Sequence, residues 1–274
     1  MVEFWQAIIL GAVEGITEFL PISSTGHLIL TSRILGLNQT EFLKTFEIAI
    51  QLGAILAVLW LYRVRFLSRT SPSGVQTPDG LVAKELFKKV FVAFLPTALV
   101  GFALYKLIKN VLFERIDVIV WALLIGGALM ILAELVLRHH TEEDRGIEDI
   151  SYRQAFLIGV CQSFAVIPGI SRAAATILGG LALGVPRRAI VEFSFLLAVP
   201  TMLAATGLDL LKSSPTFSAA EAGILVLGFF VSFVTALLSI RWLMQFIERH
   251  TFIPFGVYRI LAGIAFLFLL ARGV

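Results

Sequence analysis

The sequence predicts an all-α polytopic membrane protein, with six transmembrane helices and two re-entrant helical hairpins in an inverted repeat. Of its 274 residues, 58% are hydrophobic and 15% are charged, whereas about a quarter are charged in ordinary soluble domains. Six apolar stretches are long enough to cross a bilayer, which takes about 20 residues in a helix. Two further apolar regions are interrupted near their middle. The long continuous runs exclude a transmembrane barrel, whose strands alternate polar and apolar residues.

The two interrupted regions predict the hairpins. The first covers residues 4–35 and is broken by Pro21 and the serines after it, and the second covers residues 154–184 and is broken at Pro168-Gly169. Each half is too short to cross the bilayer alone. We therefore expect each region to enter the membrane and return to the same side, which is tolerated where the backbone lines a polar cavity. The six continuous spans are predicted at residues 41–62, 86–109, 116–137, 188–211, 221–243 and 252–271.

The interrupted regions also resemble each other, which indicates an internal duplication. A shift of 148 positions takes Gly11 to Gly159 and Ser23 to Ser171 without gaps. We interpret residues 1–274 as one integral membrane domain, with repeat halves of approximately 1–148 and 149–274. Each half holds one hairpin and three spans. An odd number of crossings places the halves in opposite orientations, as in the inverted repeats of transporters.

Basic residues in the loops predict the orientation of the chain. One side of the membrane receives most of them, and by the positive-inside rule that side is cytoplasmic. It carries Arg63, Arg65, Arg69, Lys84, Lys88, Lys89, Arg138, Arg145, Arg153, Arg187, Arg188, Arg241 and Arg249. The other side carries only Arg33, Lys44, Lys106, Lys109, Arg115, Lys212 and Arg272. Both termini and the mouth of the first hairpin are then expected to face outward.

Net charge and cysteine content narrow the function classes. The formal net charge is +3; spread over membrane loops, it indicates orientation and not nucleic-acid binding. Cys161 is the single cysteine, which excludes a disulfide framework and a cysteine metal cluster.

A polar run inside the first apolar region predicts a site. Glu14 and Glu18 are spaced i,i+4, so a helix places both on one face. Pro21 ends that helix, and Ser23-Ser24-Thr25 supplies cap residues for the next one. A helix N-terminus offers unpaired N–H groups and a positive dipole end, which suit phosphate. Because polar groups in a membrane are costly unless paired or bound to a ligand, the run predicts a phosphate site within the bilayer.

The second break contributes a cation. Arg172 follows Pro168-Gly169-Ile170-Ser171 and is expected in the first turn of a half-helix capped by Ser171. A cation is unfavourable at a helix N-terminus, and a bound anion would offset that cost. The guanidinium fork matches phosphate oxygens well. We therefore predict that the two hairpin tips meet and that their hydroxyls and Arg172 surround one phosphate group.

Two further features bear on the chemistry of this site. His27 lies three residues after Ser24, on the same helix face, and could act as a base or as a nucleophile. Glu14 and Glu18 would repel a phosphate unless one is protonated or a divalent cation bridges them. Mg²⁺ or Ca²⁺ held by carboxylate and phosphate oxygens is the usual solution.

Structural roles are the alternative for these residues. A single glutamate in the membrane can bond between helices, and Arg172 could extend its charge to the interface. Glu47 and Gln51, again i,i+4, could line the cavity or connect neighbouring helices. Three charged residues nearer the span ends are interpreted as anchors or structural pairs: Glu134, Asp209 and Arg259.

Two motifs resemble the signatures of the undecaprenyl-diphosphate phosphatases, the bacitracin-resistance family of bacterial membranes. They are Glu14-Gly-x-Thr-Glu18-Phe-Leu-Pro21-x-Ser-Ser-Thr-Gly-His27 and Pro168-Gly-x-Ser171-Arg172. The first is long and specific, and the second is shorter but lies at the expected separation. The segment Phe46-Glu-x-x-Ile-Gln51-Leu-Gly-Ala-Ile-Leu, the length and the hydropathy agree with the family over essentially the whole chain.

The resemblance implies hydrolysis of undecaprenyl diphosphate to undecaprenyl phosphate and inorganic phosphate. This reaction recycles the cell-wall lipid carrier and confers bacitracin resistance. The resemblance also implies ten helices, a place in the bacterial cytoplasmic (inner) membrane, a site that opens on the periplasmic side, and stimulation by a divalent cation, Mg²⁺ or Ca²⁺. The expected partners are the polyprenyl diphosphate lipid and the membrane, without nucleic acid. The oligomeric state is open, with a homodimer among the alternatives.

The site residues implied by the resemblance follow the two motifs. The catalytic set is Glu14, Glu18, Ser24, His27 and Arg172. The resemblance places Ser23, Thr25 and Ser171 around the phosphate, and we add Gly169 and Gln51 to the predicted phosphate- and substrate-binding set. Glu14 and Glu18 would hold the cation, and the nucleophile is Ser24 or His27, with Ser24 preferred. Many family members continue Ser-Arg-Ser-Gly, whereas this chain has Ala173 and Ala174 after Arg172, so one hydroxyl near the phosphate is missing.

The alternative function is a flippase or transporter of the lipid phosphate, alone or combined with the phosphatase. An inverted repeat with hairpins at the midplane favours it on architecture alone. A carrier needs phosphate coordination, but it has no use for a nucleophile beside a base. The sequence therefore favours the enzyme.

Overall fold

Ten helices of 11 residues or more make up most of the described chain. The computed structural model describes residues 2–38, 40–63, 78–107, 115–137, 146–212 and 218–272, and those residues include no strand. The helices are α1 Phe4–Thr17, α2 Ser24–Ile34, α3 Glu41–Leu61, α4 Pro78–Ala103, α5 Ile116–Leu137, α6 Tyr152–Ser163, α7 Arg172–Ala182, α8 Arg187–Lys212, α9 Ala219–Ile247 and α10 Ile253–Ala271. Of the basic residues used to orient the chain, Arg65, Arg69, Lys109, Arg138 and Arg145 lie outside the described residues.

Six of these helices are long and apolar enough to cross a membrane, namely α3, α4, α5, α8, α9 and α10. Their positions confirm the six predicted spans. The candidate spans differ in burial: 67% of the residues in the α8 window are buried, against 22% in α4. α8 is therefore the central helix of the fold, and α4 exposes much of its apolar surface as a lipid-facing helix would.

Two breaks separate the short helices of each pair, α1 from α2 and α6 from α7. Ser23 and Ser171 occupy the N-cap positions after the breaks, with φ of 76° and 73°. They are the two non-glycine residues with positive φ among the described residues, a conformation that is strained for a residue with a Cβ. Their hydroxyls accept hydrogen bonds from Gly26 N at 3.4 Å and from Ala174 N at 3.2 Å. These bonds stabilise the new helix starts.

Each short helix pair folds back on itself. Gln6, near the start of α1, donates from Nε2 to Leu35 O after the end of α2, at 3.5 Å. Gln154, near the start of α6, makes the corresponding bond to Leu183 O at 3.1 Å. The first and last residues of each pair therefore lie together, and the break lies at the far end.

Close glycine contacts attach each pair to a long helix. α1 packs on α9, and α6 packs on α4. A Cβ at Gly11 would lie 2.7 Å from Gly228 O, and a Cβ at Gly159 would lie 2.0 Å from Ala93 O. Small residues permit such close approach of helix backbones inside a membrane.

Glu134 and Asp209, two of the charged residues near the span ends, are bonded to neighbouring helices, as predicted for anchors or structural pairs. Glu134 accepts from Arg187 Nη2 at 2.9 Å and from Phe252 N at 2.9 Å. These bonds join α5 to the starts of α8 and α10. Asp209 accepts from the Tyr105 hydroxyl at 2.7 Å.

Candidate active site

The two breaks meet at a cavity of about 150 Å³ inside the helix bundle. α3 and α8 complete its walls. Seven of its ten lining residues have polar side chains, and the lining consists of Glu18, Ser23, Ser24, Thr25, Gln51, Gly169, Ser171, Arg172, Met202 and Ala205. Eight of these ten residues come from the sets named from the sequence, so the structure brings most of the predicted site together.

Ser24 is bonded to a carboxylate at the first position of α2. Its hydroxyl donates to Glu18 Oε2 at 2.5 Å. Glu18 directly follows α1, and its N–H still donates to Glu14 O, which keeps the two glutamates one helical turn apart. A hydroxyl hydrogen-bonded to a carboxylate is the arrangement of a nucleophile with its general base.

Arg172 occupies the equivalent first position of α7. Its Nη2 lies 3.3 Å from Glu18 Oε1, and its Nη1 donates to Ser194 O of α8 at 2.9 Å. Its Nε is buried without a hydrogen-bond partner. Glu18 therefore contacts both Ser24 and Arg172, and it joins the two breaks through side chains.

The N-termini of α2 and α7 supply backbone donors to the same cavity. Ser23 and Ser171, their N-caps, both line it, as do Thr25 and Gly169. Two positive helix ends directed at one space favour a bound anion, with partial charges of about +0.5 each.

Glu14 lies beside the cavity and does not line it. Its side chain is 0% exposed, and neither carboxylate oxygen has a hydrogen-bond partner. Glu18, Glu47 and Arg172 are close enough to interact with it electrostatically. A carboxylate with two unused oxygens is a suitable ligand for a hard cation. The described residues contain no group of three or more His, Cys, Asp or Glu side chains placed to hold a metal ion.

His27 does not line the cavity, although it lies three residues after Ser24. Its Nδ1 lies 2.8 Å from Ser23 O, and its Nε2 lies 2.8 Å from the Tyr258 hydroxyl on α10. The two rings stack, with centroids 5.5 Å apart. Both ring nitrogens are thus engaged, and His27 is not among the cavity residues.

The structure adds residues that the sequence analysis did not assign to the site. Met202 and Ala205 of α8 supply apolar side chains to the cavity lining; in the sequence they do not differ from their neighbours within an apolar span. Arg259 bonds to both breaks. An ionisable residue inside a predicted span is by itself an indication of a functional role. This criterion, applied to Arg259, would have assigned the residue to the site.

Fold and cavity together define a polytopic helical membrane protein with a cavity, inside its helix bundle, whose donors suit an anion. A family model described as "Bacitracin resistance protein BacA" matches residues 7–265. The chain belongs to this family.

Relatives of similar length agree with that assignment. The undecaprenyl-diphosphatase of Sulfurihydrogenibium sp. (strain YO3AOP1) is 49% identical over 261 residues, which cover 95% of this chain and 97% of the relative. The undecaprenyl-diphosphatase of Aquifex aeolicus is 48% identical, with 96% of each chain covered. That of Thermus thermophilus is 44% identical over 274 residues, with 99% of each chain covered.

Proposed function

We propose that this protein hydrolyses undecaprenyl diphosphate to undecaprenyl phosphate and inorganic phosphate. The observation that carries the proposal is the Ser24–Glu18–Arg172 arrangement at two helix N-termini. It supplies a nucleophile, a base and an anion-binding cation in one intramembrane cavity. Relatives named undecaprenyl-diphosphatase match almost the entire chain. The activity would recycle the cell-wall lipid carrier and confer bacitracin resistance.

The substrate binds with its terminal phosphate between the helix breaks. Arg172, the backbone N–H groups of the helix starts and the hydroxyls of Ser23, Thr25 and Ser171 hold its oxygens. Gln51 and Gly169 complete the contacts. The apolar side chains of Met202 and Ala205 in the cavity lining face the isoprenoid chain, which stays in the lipid.

Ser24 performs the first chemical step. Its Oγ attacks the terminal phosphorus in line with the bridging oxygen, and its proton passes to Glu18. The bond from phosphorus to the bridging oxygen breaks, and undecaprenyl phosphate leaves. Glu18 passes this proton to the departing undecaprenyl phosphate and is again a base. Water then attacks the phosphoserine and gives a proton to Glu18, the bond from phosphorus to Ser24 Oγ breaks, and Glu18 returns the proton to Oγ as inorganic phosphate leaves. Arg172 stabilises the charge that spreads over the phosphoryl oxygens in both steps.

Ser24 is the stronger candidate for the nucleophile because its hydroxyl faces the cavity. His27 is held between Ser23 O and Tyr258. In this arrangement the imidazole bonds to the backbone at the start of α2, at Ser23 O. His27 as the nucleophile would require its ring to leave both partners.

The donor set suits a divalent cation shared with the substrate. Glu14 and Glu18 would hold Mg²⁺ or Ca²⁺ together with phosphate oxygens, and the cation would neutralise charge on the diphosphate. The unpartnered, buried oxygens of Glu14 support this proposal.

The two short helix pairs are proposed to be re-entrant hairpins in an inverted repeat, with halves of approximately 1–148 and 149–274 in one membrane domain. Three observations related by the 148-position shift support this. They are the Gln6–Leu35 and Gln154–Leu183 bonds, the positive φ of Ser23 and Ser171, and the glycine contacts of Gly11 and Gly159. α1 packs on the second span of the other half, and α6 does the same.

The proposed location is the bacterial inner membrane, with the cavity opening on the periplasmic side. The positive-inside distribution of loop residues supports this orientation. A homodimer stays a prediction that crosslinking in native membranes would test.

Phosphate release by the purified protein tests the proposed function. With undecaprenyl diphosphate in detergent, the wild-type protein should release phosphate, and Ser24→Ala should abolish release. Ser239→Ala is the matched control, because Ser239 donates to Ile16 O at 2.9 Å, away from the cavity. Its activity should stay near that of the wild type. Transport of labelled lipid across vesicles without phosphate release would instead support the flippase.

A further inference from the structure

We propose that Arg259 is a positioning residue that holds the two helix breaks in the geometry required for hydrolysis. The inference rests on the proposed phosphatase function. Arg259 is 0% exposed and lies on α10, a helix that contributes no residue to the cavity lining.

The hydrogen bonds of Arg259 join three segments of backbone. Nη1 donates to Pro21 O of the first break at 3.3 Å and to Ile170 O of the second break at 2.9 Å. Nη2 donates to Gly169 O of the second break at 3.0 Å and to Ala122 O of α5 at 2.8 Å. One guanidinium therefore connects the first break, the second break and a membrane-spanning helix.

The planarity of the guanidinium makes this connection rigid. Its N–H bonds point in fixed directions, so the four carbonyls that accept from it are held in one relative arrangement. A lysine ammonium in the same place has three donors on a flexible stem and cannot donate to all four carbonyls at once.

The same bonds orient groups that face the phosphate. In a trans peptide the C=O and the following N–H point in opposite directions, and the described residues contain no cis peptide. Because Ile170 O points at Arg259, the N–H of Ser171 points away from it, and Ser171 lines the cavity. Arg259 thus directs a backbone donor of the second break without touching the substrate.

The positive charge of Arg259 also acts on the two helix breaks. Its four described hydrogen bonds all end on carbonyl oxygens, and none ends on a carboxylate. A buried cation is costly unless it is paired or well hydrogen-bonded. For stability alone, an apolar side chain would serve better than arginine at this position. A positive charge that no carboxylate neutralises, next to the two breaks, attracts a diphosphate.

The guanidinium of Arg259 packs against α5 at Gly126, where the absence of a side chain leaves room for it. A Cβ at Gly126 would lie 2.3 Å from Arg259 Nη2. Gly126→Ala would therefore displace the guanidinium while leaving Arg259 in the chain. This substitution tests the positioning role independently of removing the charge.

The experiment compares Arg259→Met, Arg259→Lys and Gly126→Ala with the wild-type protein. The control is Arg63→Met, which removes an exposed arginine whose guanidinium lies over the Trp60 ring and which makes no contact with the breaks in the described bonds. We measure kcat and KM for phosphate release, the melting temperature, and hydrogen exchange of the backbone at residues 20–24 and 168–172.

Misplacement of catalytic groups by about 1 Å can cost about 10²-fold in rate. We expect kcat to fall about a hundredfold in both Arg259 variants and about tenfold in Gly126→Ala, with KM changed by less than about threefold. Exchange at the two breaks should rise in all three variants, and the control should show neither change.

Wild-type kcat in Arg259→Lys, or unchanged exchange at the breaks in Gly126→Ala, would overturn the positioning role. If the Arg259 variants do not fold, Gly126→Ala alone decides it. Absence of phosphate release by the wild-type protein would refute the proposed function, whereas exchange at the breaks would still decide whether Arg259 holds them.

Discussion

Glu18 connects the two halves of the candidate site at the scale of single residues. It accepts the Ser24 hydroxyl on one oxygen and contacts Arg172 with the other. In the proposed mechanism, a phosphate that enters the cavity competes with Glu18 for Arg172, which leaves Glu18 available to take the serine proton. The proposed base is thus also the residue that the substrate would displace from Arg172.

Replacing Arg172 should reduce turnover strongly, because in the proposed mechanism its guanidinium is the main charged donor to the transition state. We expect Arg172→Ala and Arg172→Lys to lose at least about a hundredfold in kcat, since removing one transition-state donor typically costs 10²–10³-fold. Steady-state phosphate release measures the effect. Arg63→Lys, on an exposed arginine over the Trp60 ring, is the control. Near-normal turnover in both Arg172 variants would contradict the assigned role.

Removal of divalent cations should reduce activity if Glu14 helps to hold one. We expect chelation to lower phosphate release by the wild-type protein and added Mg²⁺ or Ca²⁺ to restore it, because two adjacent carboxylates need a neutralising charge beside a diphosphate. In Glu14→Gln the response to added cation should be much smaller. Equal activity of the wild-type protein with and without chelator would argue against the metal.

Helix starts and close helix contacts position the site at the scale of elements. α2 and α7 begin at strained serines, so that their first turns and hydroxyls point into one cavity. α1 and α6 are fixed in turn by backbone contact with α9 and α4. The short helices are too short to be stable alone in water, and their geometry depends on the long helices around them.

A methyl group at one of these contacts should destabilise the fold. Gly159→Ala would place a Cβ 2.0 Å from Ala93 O and push α6 from α4, and overpacking of this kind costs about 1–3 kcal/mol. We expect a lower melting temperature in detergent. Gly101→Ala on α4 is the matched control, because nothing lies within 4 Å of the added Cβ. An equal melting temperature for the two variants would contradict the close packing.

At the scale of the whole molecule, positions related by the 148-position shift differ in chemistry between the two proposed repeat halves. Glu14 in the first half corresponds by the 148-position shift to Gln162 in the second. Gln162 is buried and fully engaged with the hydroxyls of Thr97, Thr176 and Thr201, whereas Glu14 has no hydrogen-bond partner. The second half thus has a neutral, satisfied polar cluster where the first has a carboxylate.

The proposed opposite orientation of the two halves predicts that the mouths of the two proposed hairpins are accessible from opposite sides of the membrane. In a Cys161→Ala background, Asn38→Cys should react with a membrane-impermeant maleimide from the periplasm, and Arg153→Cys should react only after the membrane is opened. Asn38 follows α2, and Arg153 lies at the start of α6; both are exposed. Labelling of both from the same side would exclude the inverted arrangement.

Much of the architecture could be predicted from local sequence. The six spans follow from continuous hydrophobicity, and the breaks follow from Pro21 and Pro168-Gly169 with the serines after them. The cap roles of Ser23 and Ser171 were confirmed. These features depend on neighbours within one or two helical turns, where sequence patterns are most informative.

Other features depend on contacts between distant segments. The orientation of His27 depends on Tyr258, which is 231 residues away. The connection of both breaks through Arg259 depends on a side chain 238 residues from Pro21. A helical pattern places a residue on a face, but it does not identify the helix that packs against that face.

The sequence by itself determined the membrane class, the six spans, the two breaks and the residue types of a phosphate site, because hydrophobic length, proline and serine act locally on the backbone. Only the tertiary structure decided that Ser24, Glu18 and Arg172 share one cavity, that His27 faces Tyr258 and that Arg259 bonds to both breaks. Those outcomes depend on how separate helices pack, and packing is set by contacts between residues that are far apart along the chain.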